Sequence, residues 1–182
     1  MKFFTSDTHF GHANVIKFDD RPFANIQEHD EELVRRWNEV VRPGDVVYHL
    51  GDVGWHKNLF DADMLLARLH GTKILIKGNH DEKIICKSKQ WSAVHSYHEV
   101  SENGQRLVLF HYRMVVWNRS HHGSWALHGH SHGNLPVLMN QKTFDVGTML
   151  WGYRPISWDE VSEEMQKRTN DPGFGCKNGV RD

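Results

Sequence analysis

The sequence predicts an α/β fold, and three observations carry that prediction. Short apolar runs of strand length alternate with longer amphipathic segments, Gly and Pro sit at the joins, and five of the apolar runs end in polar residues. Lys2 to Ser6 reads as the first strand. Glu28 to Val41 follows as a helix, with Leu33, Val34, Trp37, Val40 and Val41 on its apolar side and Pro43-Gly44 as its stop. Val46 to Leu50 is the second strand, and Leu59 to Leu69 a helix halted by Gly71. The unit then repeats: Lys73 to Lys77 is a strand, and a short helix is expected from Glu82.

Beyond that point the pattern predicts a turn toward antiparallel structure. Ala93 to Val100 and Gln105 to His111 flank Asn103-Gly104, a strong hairpin signal. Trp125 to His128 and Lys142 to Val146 suit two more strands. A last helix is expected near Ser157, where Ser157-Trp158-Asp159-Glu160 fits the S-x-x-E capping box. From about Asn170 the chain is rich in Gly and polar residues and reads as a loose tail. No repeat, low-complexity tract or linker divides residues 1–182, so one domain is expected.

Composition narrows the function classes. A chain of 182 residues with 38% apolar content can bury one core. Lys and Arg total 22 against 23 Asp and Glu, a net charge of -1, so no global basic field points to nucleic acid or an anionic membrane. No apolar run approaches the roughly 20 residues of a spanning helix, and the start is too short for a signal peptide, which predicts a cytoplasmic protein. The two cysteines, Cys86 and Cys176, lie far apart without CxxC spacing, which favours free thiols over a disulfide framework or thiolate zinc site. No feature sets an oligomeric state. The outlying count is 15 histidines.

Position sorts those histidines. Asp7-Thr8-His9, Gly51-Asp52, Gly78-Asn79-His80-Asp81, His111 and Gly129-His130-Ser131-His132 each follow an expected strand, so they should gather at one sheet edge. Two divalent ions roughly 3.5–4 Å apart need a bridging carboxylate, completed by neutral imidazoles and oxygen donors. Asp52 is the candidate bridge. Asp7 and His9, two residues apart, would share one side of an extended segment, as would His130 and His132. Asn79 offers a neutral oxygen and His111 an imidazole. Any one fragment alone is more simply a turn after a strand. Five in order, with Gly where backbone must turn tightly, are poorly explained by chance.

In that order the motifs D-x-H, G-D, G-N-H-[DE], H and G-H-x-H resemble the calcineurin-like metallophosphoesterase superfamily, from Asp7 to His132. The flanking text around Phe4 to His12 and Ala126 to Gly133 is similar to its small single-domain members from bacteria and phages. The resemblance implies two mixed β-sheets packed as a sandwich and flanked by helices, which the periodicity alone does not give. It implies one ion at Asp7, His9, Asp52 and His132, and a second at Asp52, Asn79, His111 and His130. It further implies His80 beside the phosphoryl group or leaving oxygen, Asp81 orienting its ring, and a metal-bridging hydroxide as nucleophile. Two dications against Asp7, Asp52 and hydroxide would leave the pocket positive and draw a phosphate ester, nucleotides among the candidates. Manganese is the first expectation for the ions, with Fe, Zn, Co or Ni also suited to the donors.

The expected reaction is phosphodiester hydrolysis, with phosphomonoesters and nucleotide pyrophosphates as alternatives on the same metal chemistry. A Ser/Thr protein phosphatase fits less well, since that branch has G-N-H-E where this chain has Gly78-Asn79-His80-Asp81. A non-catalytic protein-binding scaffold is the alternative of a different class, and the complete ligand set and His80 weigh against it. His12 could line the pocket and Arg113 could grip a phosphate oxygen; relatives of that superfamily often hold proline at the latter position. His128 reads as structural, and His121 and His122 as loop residues. Trp37, Trp117, Trp125 and Trp151 read as core or groove filling, not as a base-stacking platform.

Overall fold

The computed structural model describes residues 1–81 and 83–170. Along the chain the elements are β1 Lys2–Thr5, α1 Asn14–Phe18, α2 Ile26–Val40, β2 Val46–His49, α3 Leu59–Arg68, β3 Thr72–Ile76 and α4 Lys83–Cys86. There follow β4 Trp91–His95, β5 His98–Glu102, β6 Gln105–Leu109, β7 Trp125–His128, β8 Thr143–Asp145, β9 Ile156–Ser157 and α5 Trp158–Gln166. Two 3₁₀ turns, Ser120–His122 and Thr148–Trp151, complete the set.

Two mixed sheets face each other. The first has the order β4-β3-β2-β1-β9, the second β5-β6-β7-β8. β1 to β4 run parallel and only β9 antiparallel, closing the edge beside β1. The central strands are apolar on both sides because both sides are covered. Phe3, Val47 and Leu75 face a core with Leu33, Val34 and Trp37 of α2 and Ala62 and Leu66 of α3. Their alternates Phe4, Tyr48 and Ile76 face the second sheet and meet Leu107, Leu109, Leu127 and Phe144, with Trp158, Val161 and Met165 of α5. Truncating a fully buried side chain such as Leu75 to Ala should cost about 2–5 kcal/mol.

Local chemistry explains the helix limits. Asn25 accepts from the Glu28 N–H at 2.9 Å and Glu28 reaches back to the Ala24 N–H at 2.8 Å, so α2 begins two residues before the expected Glu28. Ser157 and Glu160 form the expected capping box of α5. Glu82, the expected start of the short helix, and the expected loose tail, apart from Asn170 itself, lie outside the described residues.

Two expectations are corrected. The run Ala93 to Val100 is not one strand: a bend at Ser96 and Tyr97 splits it, leaving β4 in the first sheet and β5 in the second. The run holds no Gly, Pro, Asn or Asp, so turn chemistry does not reveal the bend. Antiparallel pairing in the second half is also limited, among the described residues, to the β5–β6 hairpin and to β9 on β1, since β6, β7 and β8 are parallel. The connections 110–124 and 129–142 are long enough for crossovers that return the chain in the same direction. Among the described residues no helix is long and apolar enough to cross a membrane.

Candidate metal centre

Parallel strands put their C-terminal ends at one edge, and the candidate ligands follow those ends. Asp7 and His9 follow β1, Asp52 follows β2, Asn79 follows β3, His111 follows β6, and His130 and His132 follow β7. The loops are laced together: the Asp7 N–H donates to Gly51 O at 3.0 Å, His9 N–H to Asp52 O at 3.1 Å, and Gly129 N–H to His111 O at 2.9 Å. A bridge between Ser6 and Gly147 ties the first sheet's edge to the segment after β8. Gly129 and Gly78 permit the closest approaches. A Cβ on Gly129 would stand 2.4 Å from Asp7 Oδ2, and one on Gly78 2.2 Å from Asp52 Oδ1.

Five of the candidate ligands adopt the left-handed backbone region: Asp7 (φ 56°), His9 (51°), Asp52 (57°), His130 (67°) and His132 (48°). This corrects the expectation that Asp7 and His9 converge from an extended segment. Asp and His tolerate this region better than most residues, but each instance is strained by about 1–2 kcal/mol. The reversals aim both side chains of a D-x-H or H-x-H motif inward. Thr8, between Asp7 and His9, points the other way, where its Oγ1 donates to Val53 O at 2.8 Å.

The result is two groups of convergent donors: Asp7 with His9 and His132, and Asp52 with His111 and His130. Within the first, His132 Nε2 lies 3.4 Å from Asp7 Oδ1 and 3.2 Å from His9 Nε2. Within the second, His111 Nε2 lies 3.4 Å from Asp52 Oδ2 and 3.0 Å from Asn79 Oδ1. Asp52 Oδ2 is also 3.9 Å from His9 Nε2, so this carboxylate stands between the groups. Asp7 and Asp52 are 0% and 1% exposed, and among the described residues their only ion-pair partners are imidazoles. No guanidinium or ammonium side chain pairs with these buried carboxylates among the described residues, and divalent cations with mixed N/O preference fit the Asp/His donor set.

Outer partners fix the imidazoles, and sequence reasoning missed the main ones. His132 Nδ1 is 2.8 Å from both Asp19 carboxylate oxygens, so its N–H donates outward and its Nε2 faces Asp7. Behind Asp19 sits Arg21, 3% exposed. Its five N–H donors make five bonds: two to Asp19 at 3.0 and 3.2 Å, one each to Asp7 O (2.9 Å) and Thr8 O (3.0 Å), and one to His29 Nε2 (2.9 Å). His29 Nδ1 then reaches Asp30 at 2.7 Å, and Asp30 accepts from the Gly11 N–H at 3.0 Å. His111 is oriented by main chain instead, its Nδ1 donating to Leu50 O at 2.7 Å. His49, 1% exposed, accepts from the Gly51 N–H at 3.2 Å and donates from Nε2 to Thr8 Oγ1 at 2.9 Å. Asp145 accepts from the Gly133 and Gly147 N–H groups at 3.2 and 2.7 Å, and Ser131 donates to it, which holds the G-H-S-H loop. The one sequence signal for the Arg21 system was the charged run Asp19-Asp20-Arg21 inside a loop.

Burial and the carboxylates pull the titrations apart. Burial lowers His9 to about 3, only partly offset by Asp52. Burial also disfavours charge on His132, but hydrogen bonds to Asp19 and Asp7 overcome it and raise the pKa to about 10. His111 is raised as well, burial again being outweighed by Asp52. Burial would raise Asp52, yet His111, the His80 N–H and His9 hold it down at about 2. Both groups therefore combine negative charge with imidazole nitrogens.

The remaining candidates divide. Asn79 and His80 are exposed at the mouth, with the His80 ring 5.8 Å from that of His9 and its N–H donating to Asp52 Oδ1 at 2.9 Å. The expectation that Asp81 orients the His80 ring is corrected. The Asp81 carboxylate accepts from three main-chain N–H groups, Gly78 at 2.7 Å and Asp52 and Val53 at 2.9 Å each, and so staples two loops together. Three converging amides satisfy a carboxylate that one imidazole would only half use. His12 lies near the site, its ring 5.7 Å from that of His9. Arg113 is turned elsewhere. Its Nη1 donates to Pro136 O at 3.0 Å, and it lines a mainly apolar cavity of about 190 Å³ with His128, Leu135, Phe144 and Trp151, to which none of the seven candidate ligands contributes. His121 and His122 are exposed on their 3₁₀ turn.

Fold and site together define a two-sheet α/β protein with two Asp/His groups that could hold metal ions, gathered at the C-terminal ends of strands from both sheets. Residues 3–172 match the calcineurin-like phosphoesterase family, and the chain belongs to that family. It is 34% identical over 168 residues to an uncharacterized protein of Methanocaldococcus jannaschii, covering 89% of each chain. It is 30% identical over 189 residues to the gene 66 protein of Mycobacterium phage D29, covering 88% of this chain and 93% of that one. A protein of unknown function from Aquifex aeolicus shares the fold at a TM-score of 0.72 and 24% identity, over 90% of this chain and 98% of that one.

Proposed function

We propose that the protein is a dimetal phosphodiesterase. The observation that carries this reading is the position of Asp52 between two complete donor groups, which suits one carboxylate shared by two ions. Asp7, His9, Asp52 and His132 would hold one ion, and Asp52, Asn79, His111 and His130 the other. Manganese is the first choice, and Fe, Zn, Co and Ni also suit these donors. Bound there, the ions would supply Lewis acidity toward the phosphoryl oxygens and lower the pKa of coordinated water.

The chain's own groups supply the rest. Exposed at the mouth, His80 can donate a hydrogen bond to the phosphoryl group or a proton to the leaving oxygen. Asp81 acts through the backbone, holding the Gly78 loop and the Asp52 loop in register. Preference for diesters is supported by what flanks the ligands. All five Arg21 donors are taken, and Arg113 spends Nη1 on Pro136 O beside the apolar cavity, which weighs against a guanidinium clamp for the second charge of a monoester.

The test is hydrolysis of bis-p-nitrophenyl phosphate beside p-nitrophenyl phosphate by protein stripped with chelator and reloaded with Mn²⁺, with Asp52→Asn as control. Metal-dependent turnover favouring the diester is expected. A monoester preference would overturn the diesterase assignment, and two bound ions without turnover of either ester would favour the scaffold alternative.

A further inference from the structure

The rim of the metal centre carries aromatic surface that ligand binding does not use. Trp55 is 52% exposed and Phe18 76% exposed. Their rings meet at His12, whose ring centre lies 5.4 Å from that of Trp55 and 6.4 Å from that of Phe18. Trp55 is also 6.3 Å from His80, and His12 and His80 are 5.7 and 5.8 Å from His9. A continuous run of flat rings therefore leads from a candidate ligand out to solvent.

The backbone beneath this shelf is fixed. The Trp55 N–H donates to Phe10 O at 2.7 Å, and Phe10 and Gly54 form a β-bridge. Neither neighbouring glycine has room for a side chain: a Cβ on Gly54 would stand 2.5 Å from Phe10 O, and one on Gly11 2.6 Å from Trp55 O. Gly11 is itself anchored through its N–H to Asp30. The main chain of Trp55 is thus held in place while half of the residue's surface stays in water, at a penalty of about 25 cal/mol per Å² of apolar area. A partner that covers it gains that area without first ordering the shelf.

We propose that Trp55, with His12 and Phe18, forms a subsite that stacks the nucleobase of a nucleotide ester whose phosphate lies over Asp52, which makes nucleotides the substrate class. This rests on the phosphoesterase reading above. The chemistry favours a base over an alkyl chain: the surface is made of aromatic rings, among them the imidazoles of His12 and His80 with polar edges, each tilted 37° to Trp55, and not of an aliphatic groove. A ribose separates a base from its 5′-phosphate, and the shelf correspondingly begins one ring beyond His9. Stacking of one base on an aromatic side chain is worth about 1–3 kcal/mol.

Calorimetric titration of the Mn²⁺-reloaded protein with the uncleavable phosphonate isostere of AMP, beside ethylphosphonate, tests the subsite. The nucleotide analogue should bind about 5- to 150-fold more tightly. That ratio should fall toward one in Trp55→Ala, fall substantially in Trp55→Leu, and largely survive in Trp55→Phe. Equal affinities in the native protein, or a ratio unmoved by Trp55→Ala, would overturn the proposal. Turnover of bis-p-nitrophenyl phosphate by the same preparation separates the two readings. Turnover without nucleotide preference removes the shelf alone, and nucleotide preference without turnover keeps the shelf while removing the hydrolase.

Discussion

At Asp7, His9 and His132 the donors lean on charge further back: His132 on Asp19, Asp19 on Arg21, and Arg21 on His29 and the main chain of Asp7 and Thr8. At Asp52, His111 and His130 the bracing is mostly main chain, through Leu50 O and the His80 N–H, and His130 is exposed against Tyr112 at 4.6 Å. The first position is a buried, charge-locked socket. The second opens to solvent on one side, where a substrate can approach and a ligand can yield slightly. If the two positions hold ions as proposed, the difference predicts tighter retention at the first and easier exchange at the second.

The largest expected effect is at the residue the positions share. Asp52→Asn should weaken both ions and reduce hydrolysis by roughly a thousandfold, beyond the 10–100-fold that outer partners command. Metal analysis after dialysis and initial rates read this, and loss of only one ion would deny the bridge.

Next comes the socket's outer support. Asp19→Asn should weaken one ion by about 10–100-fold and leave the other close to native, read by two-site Mn²⁺ titration. Equal weakening at both would erase the distinction between the positions.

Acid should act through the socket's underside. His49 keeps its proton off until about pH 3 when folded, against 6.5 when unfolded, because burial penalises its charged form. Between those values the unfolded chain binds the extra proton at this site, so His49 contributes a loss of stability as pH drops below 6.5, by up to about 1.4 kcal/mol per pH unit, and His9 adds to it in the same direction. Thermal melts of chelated protein should show that fall, and His49→Gln should make it shallower while the share from His9 remains. An unchanged slope in His49→Gln would place the acid sensitivity elsewhere. The smallest effect is at the open position. Tyr112→Ala removes one ring contact with His130, worth about 0.5–1.5 kcal/mol, so the weaker ion's affinity should fall two- to tenfold while the tighter one holds.

The legible and illegible parts divide along physical lines. The first three strands and the long helices were readable because Phe3, Phe4, Val47, Tyr48 and Leu75 report burial on two faces, and because Ser157 with Glu160 is a local cap. The break at Ser96 and Tyr97 was invisible, since sheet membership depends on which neighbour each half finds. Ligand residue types were readable from motif order. The left-handed turns that aim them were not, because Asp and His occupy that region only where surrounding contacts compel it. Arg21, His29 and Asp19 were missed because their meaning lies in long-range bonds.

By itself the sequence determined the alternation of strand and helix, the family motifs and the candidate donor atoms, all set by residue type and short-range spacing. Only the tertiary structure decided that Asp81 clamps backbone rather than His80, that Arg113 points away, and that Asp19 and Arg21 brace His132. A hydrogen bond goes to whichever donor the packed chain brings within about 3 Å, and that neighbour lies anywhere in the sequence.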